Sequence, residues 1–125
     1  MYYEQLALEV GATVAGFRVA KPPILAGDSG VEHRFSFLAF DGEQPYAFDV
    51  YDEVGQIELI RTYVKKMDTG ANTAIVCLSG RLRDEAKELA RFYGLEVLGP
   101  REVGDFFNNM ISAKIRSAGR LQQHV

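Results

Sequence analysis

The stretch Leu25 to Phe35, LAGDSGVEHRF, crowds Asp28, Ser29, Glu32 and His33 together. A serine between glycines is a nucleophile candidate only where a histidine base, an orienting acid and an oxyanion hole serve it. GDSG surrounds the serine-protease nucleophile, but there another glycine follows, and here it is Val31. The two histidines are His33, just after the serine, and His124, next to the last residue. The alternative G-x-S-x-G elbow is also absent. Asp28 and Ser29 therefore read as turn formers, with Gly27 and Gly30 supplying backbone freedom. Attention passes to two carboxylates. Glu32 stands between that turn and an apolar strand, where a buried carboxylate is costly without a partner. It reads either as a ligand or as a salt-bridged edge residue. Asp49 lies between Phe48 and Val50 in a segment whose other residues favour a strand and which aspartate disfavours. His33 alternates to the opposite face from Glu32 and reads as a packed or capping residue. Cys77 reads as inert core.

The elements that must position these groups follow from periodicity. Tyr3 to Ala15 places Leu6, Ala7, Val10 and Val14 at helical spacing, as for a helix packed on a core. FRVAK, Phe17 to Lys21, reads as a short strand stopped by Pro22 and Pro23. VEHRFSFLAF reads as one long strand, Asp41 to Gln44 as a hairpin turn, and YAFDVYD as the return. Val54 to Met67 repeats Ile57, Ile60, Val64 and Met67 as a helix, closed by a glycine in DTGAN. TAIVCL is a continuous apolar run, as in strands buried on both faces. The next helix has Ser79 as its candidate cap, Leu82, Ala86, Leu89 and Tyr93 on one face, and Gly94 as its stop. LEVLG is a last strand. Residues 101–117 form a final helix with Val103, Phe106, Phe107, Met110, Ile111 and Ile115 as a bulky stripe, either core or a homodimer contact. The order α-β-β-β-α-β-α-β-α gives an α/β fold with a mixed central sheet covered by helices. We expect one domain over 1–125, with 101–125 as an extra C-terminal helix and tail.

Composition limits the partners. The 125 residues are 47% hydrophobic and 25% charged, ordinary for a globular protein. No apolar run is long enough for a membrane span, and MYYEQLALEV lacks the basic start of a signal peptide. A single cysteine forms no intramolecular disulfide, so a cytoplasmic location is expected. A net charge of −3 argues against broad affinity for nucleic acid. The charge is uneven, however: no acid follows Asp105, while Lys114, Arg116 and Arg120 do.

The element order, with several residues, resembles the PD-(D/E)xK nuclease superfamily, most closely its Mrr-like restriction-endonuclease and Holliday-junction-resolvase-like branches. The resemblance runs from about Tyr3 to Pro100. It rests on Glu4 in the first helix, GFRV, GDSGVE with Glu32 in the acidic position, FDVYD with Asp49, and the segment ending GLEVLG. It implies a restriction-endonuclease-like fold and DNA as partner. It also implies Mg²⁺ or Mn²⁺ held by Glu32 and Asp49 with Glu4 in support, and phosphodiester hydrolysis. The family's lysine, two residues after the second acid, is replaced by Tyr51, which carries no positive charge. Lys65 and Lys66 on the following helix are the candidates to supply it. A nuclease-like module without catalysis, acting in binding, assembly or dimerisation, is the alternative.

Overall fold

The computed structural model describes residues 3–109 and 112, with side chains from Leu6 onward. Five strands form a mixed sheet in the order β1 (Arg18–Val19), β4 (Phe37–Asp41), β5 (Gln44–Tyr51), β6 (Asn72–Cys77), β7 (Glu96–Leu98). β1, β4 and β5 are antiparallel neighbours, and β5, β6 and β7 are parallel. The expected α/β class with a mixed, helix-covered sheet is the observed one. The hairpin turns at Gly42, whose φ of 62° is paired with an ordinary φ at Glu43, the pattern of a two-residue turn with glycine first. From Thr73 to Cys77 every residue of β6 is buried, which explains its continuous apolar run.

Two helices cover each face. α1 (Tyr3–Val14) and α4 (100–109) cover one, where Leu8, Ala12, Phe37, Phe48, Val76 and Phe107 meet. α2 (Gln56–Thr69) and α3 (Asp84–Tyr93) cover the other, over Leu59, Ile75, Ala86, Ala90 and Leu95. Gly70 and Gly94 end α2 and α3 in the left-handed conformation, as their positions predict. The face expected of α3, Leu82 to Tyr93, packs inward. Ser79 does not cap it: α3 starts at Asp84, and the Ser79 hydroxyl instead accepts the Arg81 N–H in the preceding turn.

Three expectations are corrected. The strand read as continuous from Val31 to Phe40 is two. β3 (Glu32–Arg34) pairs with β2 (Ile24–Ala26) in a separate ribbon, and β4 begins only after Ser36. Alternation is broken there, because Phe35 and Phe37 are both buried but in different clusters. The α1 face chosen from spacing is the wrong one: Leu6, Ala7, Val10 and Val14 are exposed, and Leu8, Ala12 and Ala15 face the sheet. Small alanines let the helix approach closely, which a count of large apolar residues misses. α2 is inverted in the same way, with Ile57, Ile60, Val64 and Met67 outside and Leu59 and Thr62 inside. The stripe of α4 is core where it is described, since Val103 and Phe107 are buried and Phe106 packs against them. Met110, Ile111 and Ile115, on which the homodimer expectation now rests, lie outside the described residues, as does His124. No helix among the described residues is long and apolar enough to cross a membrane.

Candidate functional site

Asp49 projects from the middle strand of the sheet toward α2, while its neighbours Phe48 and Val50 pack on the α1 side. It is only 2% exposed. Such a carboxylate must be paired, and three side chains meet it. Thr62 donates its hydroxyl to Oδ2 at 2.6 Å. The Lys65 ammonium reaches both oxygens, 2.9 Å from Oδ1 and 2.7 Å from Oδ2. The Tyr51 hydroxyl lies 3.5 Å from Oδ2. Thr62 and Lys65 are three apart on α2, so one helical face carries both to the acid. Lys65 also donates to the Arg34 carbonyl at 2.9 Å and stands 4.7 Å from the centre of the Phe35 ring. Burial, seconded by the charge of Asp49, raises the Tyr51 pKa above its usual value against the opposing hydrogen bond from Thr62. Tyr51 therefore stays a neutral phenol at physiological pH.

These groups open into a cavity of about 700 Å³ whose polar lining is Glu9, Lys21, Arg34, Ser36, Asp49, Tyr51 and Lys65. The rest of the lining comes from Val19 and Ala20 at the end of β1, Phe37 and Leu38 of β4, and Pro23 and Phe35 beside the ribbon. Glu9, on α1, is 3.3 Å from Lys21 at the start of the ribbon.

The sequence-predicted residues separate here. Asp49 is at the centre. Glu32 is not: it is exposed on β3, opposite Ala26, and does not line the cavity. The pairing Phe37↔Phe48 brings Ser36, not Glu32, to the level of Asp49, and the Ser36 hydroxyl accepts the Val50 N–H at 3.0 Å. The split of the long strand accounts for the shift. Glu4 lies in α1, and its side chain is outside the described residues. The carboxylate that α1 does bring to the cavity is Glu9, which sequence reasoning missed. Thr62 was missed as well, although a threonine three residues after a core leucine and three before a lysine was a readable sign of a polar inward face.

Among the described residues, no three or more His, Cys, Asp and Glu side chains cluster as a metal site. Magnesium needs fewer, taking one or two protein carboxylates and completing its shell with water and phosphate oxygens. Glu9 and Asp49 are both hard oxygen donors lining this cavity, each already ion-paired, Glu9 with Lys21 and Asp49 with Lys65.

The GDSG turn has a different task. The Ser29 N–H and hydroxyl both donate to the Asp68 carboxylate, at 2.9 and 2.6 Å, and His33 Nε2 lies 2.6 Å from the same group. Serine, histidine and aspartate thus meet, but with the acid in the middle. The imidazole faces Asp68, whereas a nucleophilic serine needs the imidazole beside its own hydroxyl. Asp28 N–H also donates to the Asp68 carbonyl, and a Cβ on Gly27 would collide with the Asp68 carboxylate. The turn ties the ribbon to the end of α2. The hydrogen bonds from Ser29, then that from His33, lower the Asp68 pKa from 3.8 to about 2. A depressed carboxylate stabilises the fold above its unfolded pKa and loses that contribution as pH falls through its folded one. Asp68→Asn should therefore melt below the native protein at pH 6, with the difference shrinking between about pH 4 and pH 2. Melting curves across that range check it; a gap that persists at pH 2 contradicts the assignment.

No protein-family model matches the chain, and no curated protein matches it. Its fold is similar to the crystal structure of a protein of unknown function, AF1548, with a TM-score of 0.59 at 20% identity, over 77% of this chain. The chain spans 57% of that protein's length. At this identity the likeness concerns the fold.

Proposed function

We propose that this domain binds DNA across the Asp49 cavity and hydrolyses a phosphodiester there with the help of a divalent cation. The observation that carries this reading is the Lys65 ammonium within 2.9 Å of both Asp49 oxygens. The strand supplies no lysine two residues after its acid, but the helix behind it does. Asp49 and Glu9 would hold Mg²⁺ or Mn²⁺, which when bound neutralises phosphate charge and makes a water nucleophilic at neutral pH. Lys65 places a positive charge at the edge of the carboxylate, where it can hold a phosphate oxygen or the attacking water. Thr62 fixes the carboxylate's rotamer. Tyr51, a neutral phenol, can donate a hydrogen bond but is no base. Arg34 and Lys21 on the cavity wall offer further contacts to the phosphate backbone.

A second reading keeps the binding and drops the chemistry. It is favoured by the way Lys65 and Thr62 already occupy both oxygens of Asp49. One experiment separates them: supercoiled, linear and branched DNA incubated with Mg²⁺ or Mn²⁺ and with either the native protein or Asp49→Asn. The substitution keeps the shape but removes the charge that Lys65 pairs with, so circular dichroism melts must show the variant folded at the assay temperature. Metal-dependent cutting that falls about 100-fold or more in the variant supports hydrolysis. Binding without cutting supports the second reading. Failure to shift any of these DNAs at low salt, where electrostatic binding is strongest, overturns both.

A further inference from the structure

The outer face of α2 is more apolar than its inner one. Ile57, Ile60, Val64 and Met67 are 62%, 45%, 52% and 62% exposed, with Arg61 at one edge. The reason lies beneath: the inner face must present Thr62 and Lys65 to Asp49, so the helix spends its inward positions on polar groups. That explains why the inner face is polar, not why the outer face is greasy. The apolar surface continues onto α3. Tyr63 stacks on Tyr93 at 4.3 Å, Tyr93 meets Phe92 at 5.7 Å, and Phe92 is 84% exposed.

We propose that this surface is a homodimer seam, in which α2 packs antiparallel against α2 of a second copy about a two-fold axis. Two arguments choose this occupant. The first is area. The exposed fractions of Ile57, Ile60, Val64, Met67 and Phe92 amount to about 600 Å² per copy, at the top of the range for a monomer's largest apolar patch. Two copies that covered this patch completely, Phe92 included, would bury about 1,200 Å², the lower bound of specific, stable interfaces. The second is spacing. Ile57 and Met67 lie equally far either side of Thr62, as do Ile60 and Val64. A two-fold axis at that level sets Ile60 beside the second copy's Val64 at the centre of the seam, with Ile57 and Met67 on its two flanks, so the patch can pack against itself. The seam lies on the side of α2 opposite the Asp49 pair, so it leaves the cavity open and does not rest on the proposed hydrolysis.

The spacing gives a sharp test, read by sedimentation of the full chain across a concentration series. The native protein should dimerise at micromolar concentration. Ile60→Glu and Val64→Lys should each raise the dimer dissociation constant about 30-fold or more, since each leaves a charge facing an apolar side chain. The double variant Ile60→Glu/Val64→Lys should recover most of the loss, because an antiparallel seam sets each new glutamate against the other copy's new lysine. A parallel seam would instead set like charges together. Circular dichroism melts confirm that each variant is folded. A native protein that stays monomeric at hundreds of micromolar overturns the proposal. So does a dimer that survives both single variants, as one through the C-terminal segment would, or a double variant no better than the singles.

Discussion

Lys65→Met should lower the unfolding free energy by about 3 kcal/mol, while Asp49→Leu combined with Lys65→Met returns most of it. The asymmetry follows from what each change leaves behind. Lys65 and Asp49 have side chains only 17% and 3% exposed. Removing the ammonium strands a carboxylate that water barely reaches, with Thr62 and a distant Tyr51 hydroxyl as its remaining partners. Removing both charges exchanges an ion pair for apolar contact at similar volume, which is often neutral or better. The effect matters because a domain of this size has only about 5–15 kcal/mol of stability in total. Urea denaturation of the native, single and double variants forms the cycle. If the native protein cuts DNA as proposed, nuclease assays on the same samples should show no cutting by either lysine-less variant, including the restored one. That combination would mark the pair as retained for chemistry, because the fold does as well without it. Equal stability of Lys65→Met and the native protein would mean that the lysine is a spectator.

Most strands of the central sheet were legible because their signals are local, although β2 was not seen and β3 and β4 were read as one. TAIVCL is an unbroken apolar run, Asp41-Gly42 is a hairpin dipeptide, and Gly70 and Gly94 are helix stops, and each occupies the place its chemistry dictates. The positions of the helices were legible, but the faces of two of them were not. In α1 and the turn after it the inward residues include Ala12 and Ala15, which contribute little to any count of hydrophobicity although they are fully packed. In α2 a buried aspartate reverses the usual rule by drawing threonine and lysine inward. Asp49 itself was found, since an acid between Phe48 and Val50 in a strand has to be answered by something. Its partner was found only as a candidate, because which of Lys65 and Lys66 reaches the acid depends on helix rotation. The structure turns Lys65 to Asp49 and Lys66 to the Gly94 carbonyl. Glu32 was misplaced because nothing local announces that the chain leaves one sheet for another at Ser36. Glu9 carried no signal beyond that of a helical surface glutamate.

Phe48→Ala should cost about 3–5 kcal/mol, equivalent to a drop of about 10–20 °C in melting temperature for a domain of this size. Phe48 is 2% exposed, and its ring meets Phe37 at 5.8 Å, Phe106 at 5.4 Å and Phe107 at 6.1 Å. Those contacts join β5 to its antiparallel neighbour and to α4, so the cavity left by alanine lies where an entire helix is seated. Phe106 and Phe107 are successive residues on one turn, and both lean on this one ring. The neighbouring rings cannot close the gap without lifting α4 from the sheet, which places the cost toward the upper part of the range. Phe92→Ala is the control: that ring is 84% exposed, and its loss should change monomer stability by less than about 0.5 kcal/mol. Because Phe48 and Asp49 point to opposite faces of the sheet, the Phe48 variant assayed well below its melting temperature should keep the native response to Asp49→Asn. Thermal and urea denaturation give the first quantity and the nuclease assay the second. Loss of the site in a folded Phe48→Ala protein would show that α4, from the far side of the sheet, holds β5 at the position the Asp49–Lys65 pair requires.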